Sequence, residues 1–198
     1  MKAEEIVRSG YTKIATQYNQ FRKRFHTKKE LERFARLLPD GARVLDAGCG
    51  TGVPVARFLV NRGFDVTGID VASGMLELAK EQVPDAKFLE GDMTHLIFPG
   101  ESFDGIVSVF AIIHVPKENH PRIYQNFYRV LKPKGVLFLS TGATEWEGTD
   151  EYFGATMFWS HYHAETSLTF IKAAGFTILS DEILTRDDET HYWIFARK

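Results

Sequence analysis

The stretch Val44-Leu45-Asp46-Ala47-Gly48-Cys49-Gly50-Thr51-Gly52 constrains this chain more than any other part of it. An apolar run enters a loop in which every second residue from 48 to 52 is glycine. That is the pattern of a parallel strand that brings its backbone close to a ligand. The helix expected next should present free N–H groups in its first turn, and Pro54 suits that turn because its missing N–H costs nothing there. A second strand, Phe64 to Asp70, ends on a carboxylate 24 residues beyond Asp46. A carboxylate at such a spacing accepts both hydroxyls of a ribose.

The same loop excludes ligands. A dinucleotide fingerprint needs Gly-x-Gly-x-x-Gly/Ala, and counting from Gly48 its last position is Val53. No Gly-Lys-Ser/Thr follows, so the loop is not a phosphate-binding P-loop. Asp46 beside a pyrophosphate would be repelled by about 4 kcal/mol per unit-charge pair at ~4 Å and an effective dielectric of ~20. A ligand with cationic groups, a ribose and no phosphate suits the loop, and S-adenosylmethionine has all three properties.

Around this loop, helical and strand patterns alternate. A first helix carries Tyr11, Ile14, Tyr18, Phe21 and Phe25 on one face, and a second carries Leu31, Phe34, Leu37 and Leu38 before Pro39-Asp40-Gly41. Ser73 is the expected cap of a helix through Met75, Leu76, Leu78 and Ala79. Strands are expected at Ala86 to Glu90, Phe103 to Phe110 and Val136 to Ser140, with a helix through Ile123, Phe127, Val130 and Leu131 before the last of these. Residues 142–160 read as irregular and aromatic. A helix through Leu168 and Ile171 ends at Gly175, and a hairpin of Phe176 to Leu184 and His191 to Arg197 closes the chain, its last strand antiparallel.

Composition narrows the function. With 198 residues the chain fits one domain. A balance of 24 Lys+Arg against 26 Asp+Glu argues against a nucleic-acid binder. The single cysteine, Cys49, excludes a disulfide framework and a cysteine-based zinc cluster, and it reads as a small loop residue. The longest apolar run, Ile106 to Val115, is too short to span a bilayer, and the first residues do not read as a signal peptide. The expectation is a cytoplasmic protein with no stable membrane insertion; the oligomeric state is left open.

The chain resembles the class I S-adenosylmethionine-dependent methyltransferases, in particular the small-molecule enzymes of the quinone-biosynthesis type. The resemblance is carried by residues 44–52, Gly68-Ile69-Asp70, Ser73 to Leu76, Glu90-Gly91-Asp92-Met93, Phe103-Asp104 and Arg129 to Gly135, and on the first helix by Gly10-Tyr11, Ile14-Ala15, Tyr18-Asn19 and Arg22. It implies an α/β, Rossmann-like, seven-stranded, mostly parallel sheet with an antiparallel last strand and helices on both faces. Lid helices would occupy 1–38, the cofactor-binding core 42–140, an acceptor-side lid 141–165, and a C-terminal helix and hairpin 166–198.

The resemblance also implies roles. Gly48, Gly50 and Gly52 would line the methionine part of the cofactor, with Asp46 supporting it and Tyr18 near its carboxylate. Asp70 would hold the ribose, Val71 and Met75 would flank the adenine, and Asp92 would accept from its amino group beside the Met93 backbone. Val109 would open onto the sulfonium, and Tyr11 would stand near the methyl group. The usual Tyr-Asp of that first helix is replaced here by Tyr11-Thr12 and Tyr18-Asn19.

His114 follows the fourth strand, at the sheet edge where ligands bind, and is a candidate general base or a packed loop residue. His161 and His163 are candidate catalytic groups in the aromatic stretch after the fifth strand; a His-x-His metal site lacks further ligands at a convincing spacing. The cluster Arg22, Lys23, Arg24, Lys28 and Lys29 reads as a solvated face, with an anionic acceptor or a membrane surface as the functional alternative. The expectation is methyl transfer to a small-molecule acceptor by in-line displacement; the alternative is a non-catalytic S-adenosylmethionine-binding sensor or subunit.

Overall fold

The structure, a computed structural model, describes residues 2–22, 27–186 and 189–198, with the side chains of Phe21 and Arg22 left aside. The expectations for Phe21, Phe25, Arg22, Lys23 and Arg24 therefore fall outside the described side chains.

Five strands, β1 (Arg43–Ala47), β2 (Asp65–Asp70), β3 (Lys87–Glu90), β4 (Phe103–Ser108) and β5 (Leu131–Gly142), pair in parallel. Beside β5 lies β9 (Glu189–Arg197), antiparallel to it and to β8 (Thr177–Arg186). The order β3-β2-β1-β4-β5-β9-β8 is the expected seven-stranded sheet with its antiparallel last strand.

Alternation along the strands explains why both faces are covered. Leu45, Ile106, Leu137, Leu139 and Ile194 point to a core shared with α5 (His120–Val130) and α6 (Ala164–Ala173). Val44, Val107, Val136, Phe138 and Phe195 point to the opposite core, shared with α2 (Lys28–Arg36), α3 (Val55–Asn61) and α4 (Ser73–Gln82). Strands buried on both sides read as continuous apolar runs, which is how they appear in the sequence. Phe138 and Phe195 stack at 4.5 Å across the β5–β9 pair.

Three local expectations need correction. Residues 142–160 are not irregular: β6 (Trp146–Tyr152) and β7 (Ala155–His161) form a separate antiparallel hairpin. Its turn places Phe153 at φ 52° and Gly154 at φ 76°, the two positive values of a tight two-residue hairpin loop. Ser73 does not cap α4; the N-cap is Ala72, whose amide donates to Asp70 Oδ1. Pro54 precedes α3 as its N-cap instead of entering its first turn.

The remaining helix, α1 (Ala3–Arg22), lies across the C-terminal ends of the parallel strands. Val7, Ile14, Ala15 and Tyr18 are buried from it against Ala72, Met75, Ala155 and Met157. Gly10 permits this: a Cβ there would lie 2.9 Å from Met157 Cε and 3.1 Å from the Thr156 carbonyl. Helix α1 and the β6–β7 hairpin thus form one cover over the sheet edge.

Candidate active site

Beneath that cover is a cavity of about 330 Å³. Its floor is the 48–51 loop, its walls are the ends of β1, β2 and β4 and the 91–95 segment, and its roof is α1. Of the residues the sequence singles out, Tyr11, Tyr18, Asp46, Gly48, Gly50, Asp70, Val71, Met75, Asp92, Met93, Val109 and His114 all line it.

The glycine loop folds back on its own sheet. The amides of Gly48 and Cys49 donate to the Ile69 carbonyl at 2.8 and 3.0 Å, and Gly52 donates to the Cys49 carbonyl at 2.9 Å. The Gly50 amide donates to Asp70 Oδ2 at 2.8 Å. The free donors expected near the helix start are, at these four positions, already used within the protein. A loop whose amides bind its own sheet is poorly built to cradle a phosphate, whose recognition depends on such donors. Gly48, at φ 79°, has room for nothing more: a Cβ would lie 2.2 Å from that of Ala111. Gly52 does not line the cavity. A Cβ there would meet Phe88, Val83 and Ala79, so this glycine serves the packing of the loop on α4 and β3.

The charge of the cavity is one-sided. Among the described residues, Glu4, Asp46, Asp70 and Asp92 line it with one lysine, Lys2. Asp46 is 2% exposed and stands at the end of β1, while Asp70 ends the neighbouring β2. Burial raises the Asp70 carboxyl above its ordinary range, opposed by the amides of Ala72, Gly50 and Val71. Asp92 accepts from the amide of Thr94 at 2.7 Å and from its hydroxyl at 2.6 Å, which fixes the 3-10 turn Met93–His95. Asn126 of α5 holds this turn through the carbonyls of Met93 and Thr94. Burial pushes the Cys49 thiol well up, reinforced by Asp70 and Asp46, so it stays protonated and is no nucleophile.

At the other side of the cavity, the Tyr11 hydroxyl lies 2.7 Å from His114 Nε2, and His114 Nδ1 lies 2.8 Å from the Phe158 carbonyl of β7. A carbonyl only accepts, so Nδ1 carries the proton and Nε2 accepts from Tyr11. Burial lowers the His114 pKa to about 4, against the raising effect of the Phe158 carbonyl. His161 does not join this group. Its Nδ1 is held by the Thr144 carbonyl, its ring packs on Gly142, and it lies outside the cavity lining. His163 is exposed, 4.0 Å from Glu145, and also outside it.

Sequence reasoning missed how the cover is fastened. Asn19 Oδ1 accepts from Thr51 Oγ1 at 2.9 Å and from Gln82 Nε2 at 3.2 Å, tying α1 to the glycine loop and α4. Lys13 donates to the Gly154 carbonyl of the hairpin, and Arg8 pairs with Glu90 at the end of β3. The replacement of the usual aspartate by Asn19 was the signal: an amide there can accept from two neutral donors without importing charge.

Comparison with known proteins agrees with this geometry. Residues 44–135 match the family model described as a methyltransferase domain. A sterol 24-C-methyltransferase of Gibberella zeae is 32% identical over 174 residues, covering 77% of this chain and 44% of that protein. A Bacillus subtilis protein described as a methyltransferase, YqeM, is 29% identical over 167 residues, covering 78% of this chain and 67% of that protein. The chain thus spans less than half the length of that sterol enzyme. The crystal structure of an S-adenosylmethionine-dependent methyltransferase from Methanosarcina mazei superposes with a TM-score of 0.72 at 26% identity, covering 82% of this chain and 95% of that one. Residues 44–135 are thus similar to a methyltransferase domain, and the fold around them is similar to that of an S-adenosylmethionine-dependent methyltransferase. Among the described residues no helix is long and apolar enough to cross a membrane.

Proposed function

We propose that the protein transfers the methyl group of S-adenosylmethionine to a small molecule held in the same cavity. The observation that carries this reading is the presence of Asp46 and Asp70 near the C-terminal ends of the adjacent strands β1 and β2, in a cavity whose described lining residues include four carboxylates and one lysine. Such a lining favours a cationic, phosphate-free nucleoside. The bound cofactor supplies an electrophilic methyl on a sulfonium.

In this reading the chain's residues do the positioning. Asp70 accepts the ribose hydroxyls, and Asp46 stands by the methionine ammonium. The bare backbone of Gly48 and Gly50 allows close approach, with Tyr18 near the methionine carboxylate. Val71 and Met75 flank the adenine, while Asp92 and the Met93 amide face its edge and Val109 faces the sulfonium. The acceptor side is the one that carries Tyr11 and His114. Holding the acceptor ~3–3.5 Å from the methyl carbon, in line with the breaking bond, supplies much of the rate. The roof of α1 and the hairpin keeps water out. A small-molecule acceptor is further supported by the sterol enzyme among the relatives, and we read the protein as cytoplasmic.

Calorimetric titration with S-adenosylmethionine, S-adenosylhomocysteine and NADH tests the cofactor site: micromolar binding of the first two and none of the third is expected. NADH binding alone overturns the reading. Single-turnover transfer across an acceptor panel separates an enzyme from a sensor, because a sensor binds the cofactor and never yields S-adenosylhomocysteine.

A further inference from the structure

Both ring nitrogens of His114 are engaged within the protein. Nδ1 donates to the Phe158 carbonyl, and Nε2 accepts from Tyr11. The ring is also 8% exposed and edge-on to Tyr11, with centroids 5.0 Å apart. An acceptor in the cavity therefore meets the Tyr11 oxygen before it can meet a nitrogen of His114. We propose that Tyr11 is the catalytic residue that takes the acceptor's proton, relaying its own proton to His114, and that the acceptor is accordingly a neutral hydroxyl compound. This rests on the methyltransferase reading and specifies its substrate class.

The step balances. The acceptor oxygen forms a bond to the methyl carbon as the carbon–sulfur bond breaks, and that electron pair stays on sulfur as a neutral thioether. The acceptor's proton passes to the Tyr11 oxygen, and the Tyr11 proton passes to His114 Nε2. The positive charge that leaves sulfur reappears on the imidazole and is then lost as a proton to water.

The chemistry of the pair selects among acceptors. A methylated amine keeps its proton as an alkylammonium, a weak acid, so it needs no base during transfer and would leave this pair idle. A thiol ionises near neutral pH without help. A hydroxyl becomes a strongly acidic oxonium as the new bond forms, and even a weakly basic imidazole removes that proton. Burial makes His114 such a weak base. The acidic lining disfavours an acceptor that arrives as an anion. The Phe158 carbonyl acts as a positioning group: it fixes the tautomer that leaves Nε2 able to accept, and it belongs to the hairpin that packs on the α1 roof.

Two measurements test this. The first is the ring-nitrogen NMR spectrum of His114 in protein saturated with S-adenosylhomocysteine at pH 7. A neutral ring protonated on Nδ1 is expected, with the Nε2 resonance moving in Tyr11→Phe while Nδ1 stays; an Nε2-protonated ring or an imidazolium overturns the relay. The second is single-turnover transfer to phenol, catechol and 1-octanol, to aniline and 2-phenylethylamine, and to an isolated alkene, 1-octene. O-methylation is expected, reduced roughly 10²-fold in Tyr11→Phe and in His114→Asn, as befits loss of general-base help, with cofactor affinity within about threefold of the parent. No hydroxyl product, transfer only to amines or to the alkene, or equal losses in transfer and cofactor binding would each overturn the assignment. Failure of the parent protein to bind S-adenosylmethionine would instead sink the underlying methyltransferase reading.

Discussion

The Asp70 carboxylate accepts the Gly50 amide at 2.8 Å, so the residue proposed to hold the ribose also pins the glycine loop. Its other oxygen accepts the Ala72 amide at 2.9 Å at the start of α4. One side chain therefore sets the distance between the loop and the helix, both of which border the cavity. Asp70→Ala removes the proposed ribose acceptor and both backbone ties. Hydrogen bonds to a charged group are each worth about 1.5–3 kcal/mol, so S-adenosylmethionine affinity should fall at least ~10-fold by calorimetry. Asp70→Asn, which keeps one acceptor oxygen, should lose less. Unchanged affinity in both would remove Asp70 from the site.

Two loop glycines two residues apart should respond differently to alanine. Gly48 is at φ 79° and a Cβ would overlap that of Ala111, whereas Gly50 is at φ 53° with open space around its would-be Cβ. Gly50→Ala should cost only the left-handed backbone term, about 1–2 kcal/mol. Gly48→Ala adds a clash between two backbone-anchored carbons and should cost clearly more, with weaker cofactor binding because β4 must retreat. Denaturant unfolding of the two variants gives the comparison, and equal losses would mean that the Ala111 segment yields freely.

How much of this was legible follows from where each signal resides. The parallel core was readable because Val44-Leu45, Ile106-Val107 and Val136-Leu137-Phe138 are buried on both faces and leave unbroken apolar runs. Asp46, Gly48 and Asp70 were readable because their positions follow from strand ends. The β6–β7 hairpin was not. It pairs outside the main sheet, and β6, Trp-Glu-Gly-Thr-Asp-Glu-Tyr, is mostly exposed and so shows no apolar alternation. Gly154 in its turn was the one local clue. Gly52 and His161 were misplaced for related reasons: a glycine beside a ligand loop and a glycine under a helix look alike in sequence, and so do a histidine facing a cavity and one bound to a neighbouring carbonyl.

Asn19 offers a test of the roof. Its side chain is the shared acceptor for Thr51 and Gln82, and it sits on the half-buried flank of α1. Asn19→Ala removes two neutral hydrogen bonds, each worth about 0.5–1.5 kcal/mol net. Dissociation of S-adenosylhomocysteine should then quicken several-fold to tens of fold, measured by displacement kinetics. The melting temperature should fall by only several degrees, at about 2–4 °C per kcal/mol, because Val7, Ile14 and Tyr18 still bury α1 against α4 and β7. A release rate equal to that of the parent would mean that the cover does not open at this end.

The two buried histidines make stability depend on pH. Burial lowers both His114 and His120 from 6.5 to about 4, each partly opposed by a main-chain carbonyl, that of Phe158 or that of Val115. Their folded pKa values lie below the unfolded ones. Between about pH 6.5 and 4 the unfolded chain therefore binds protons that the folded chain refuses, and stability falls as pH falls through this window. From pH 7 to 5 each ring should contribute a loss of about 2 kcal/mol, and at about 2–4 °C per kcal/mol for a chain of this size the melting temperature should drop by roughly 10 °C. Asp104, which burial raises but Lys132 and the Arg43 amide pull below the ordinary carboxylate range, is protonated only at lower pH and does not account for this drop. His120→Gln keeps a donor for the Val115 carbonyl and cannot titrate, so it should remove its own share of about 2 kcal/mol, leaving the contributions of His114 and of His161, which burial also lowers. A variant whose melting curve still tracks the parent's from pH 7 to 5 would show that His120 is not held neutral in the fold.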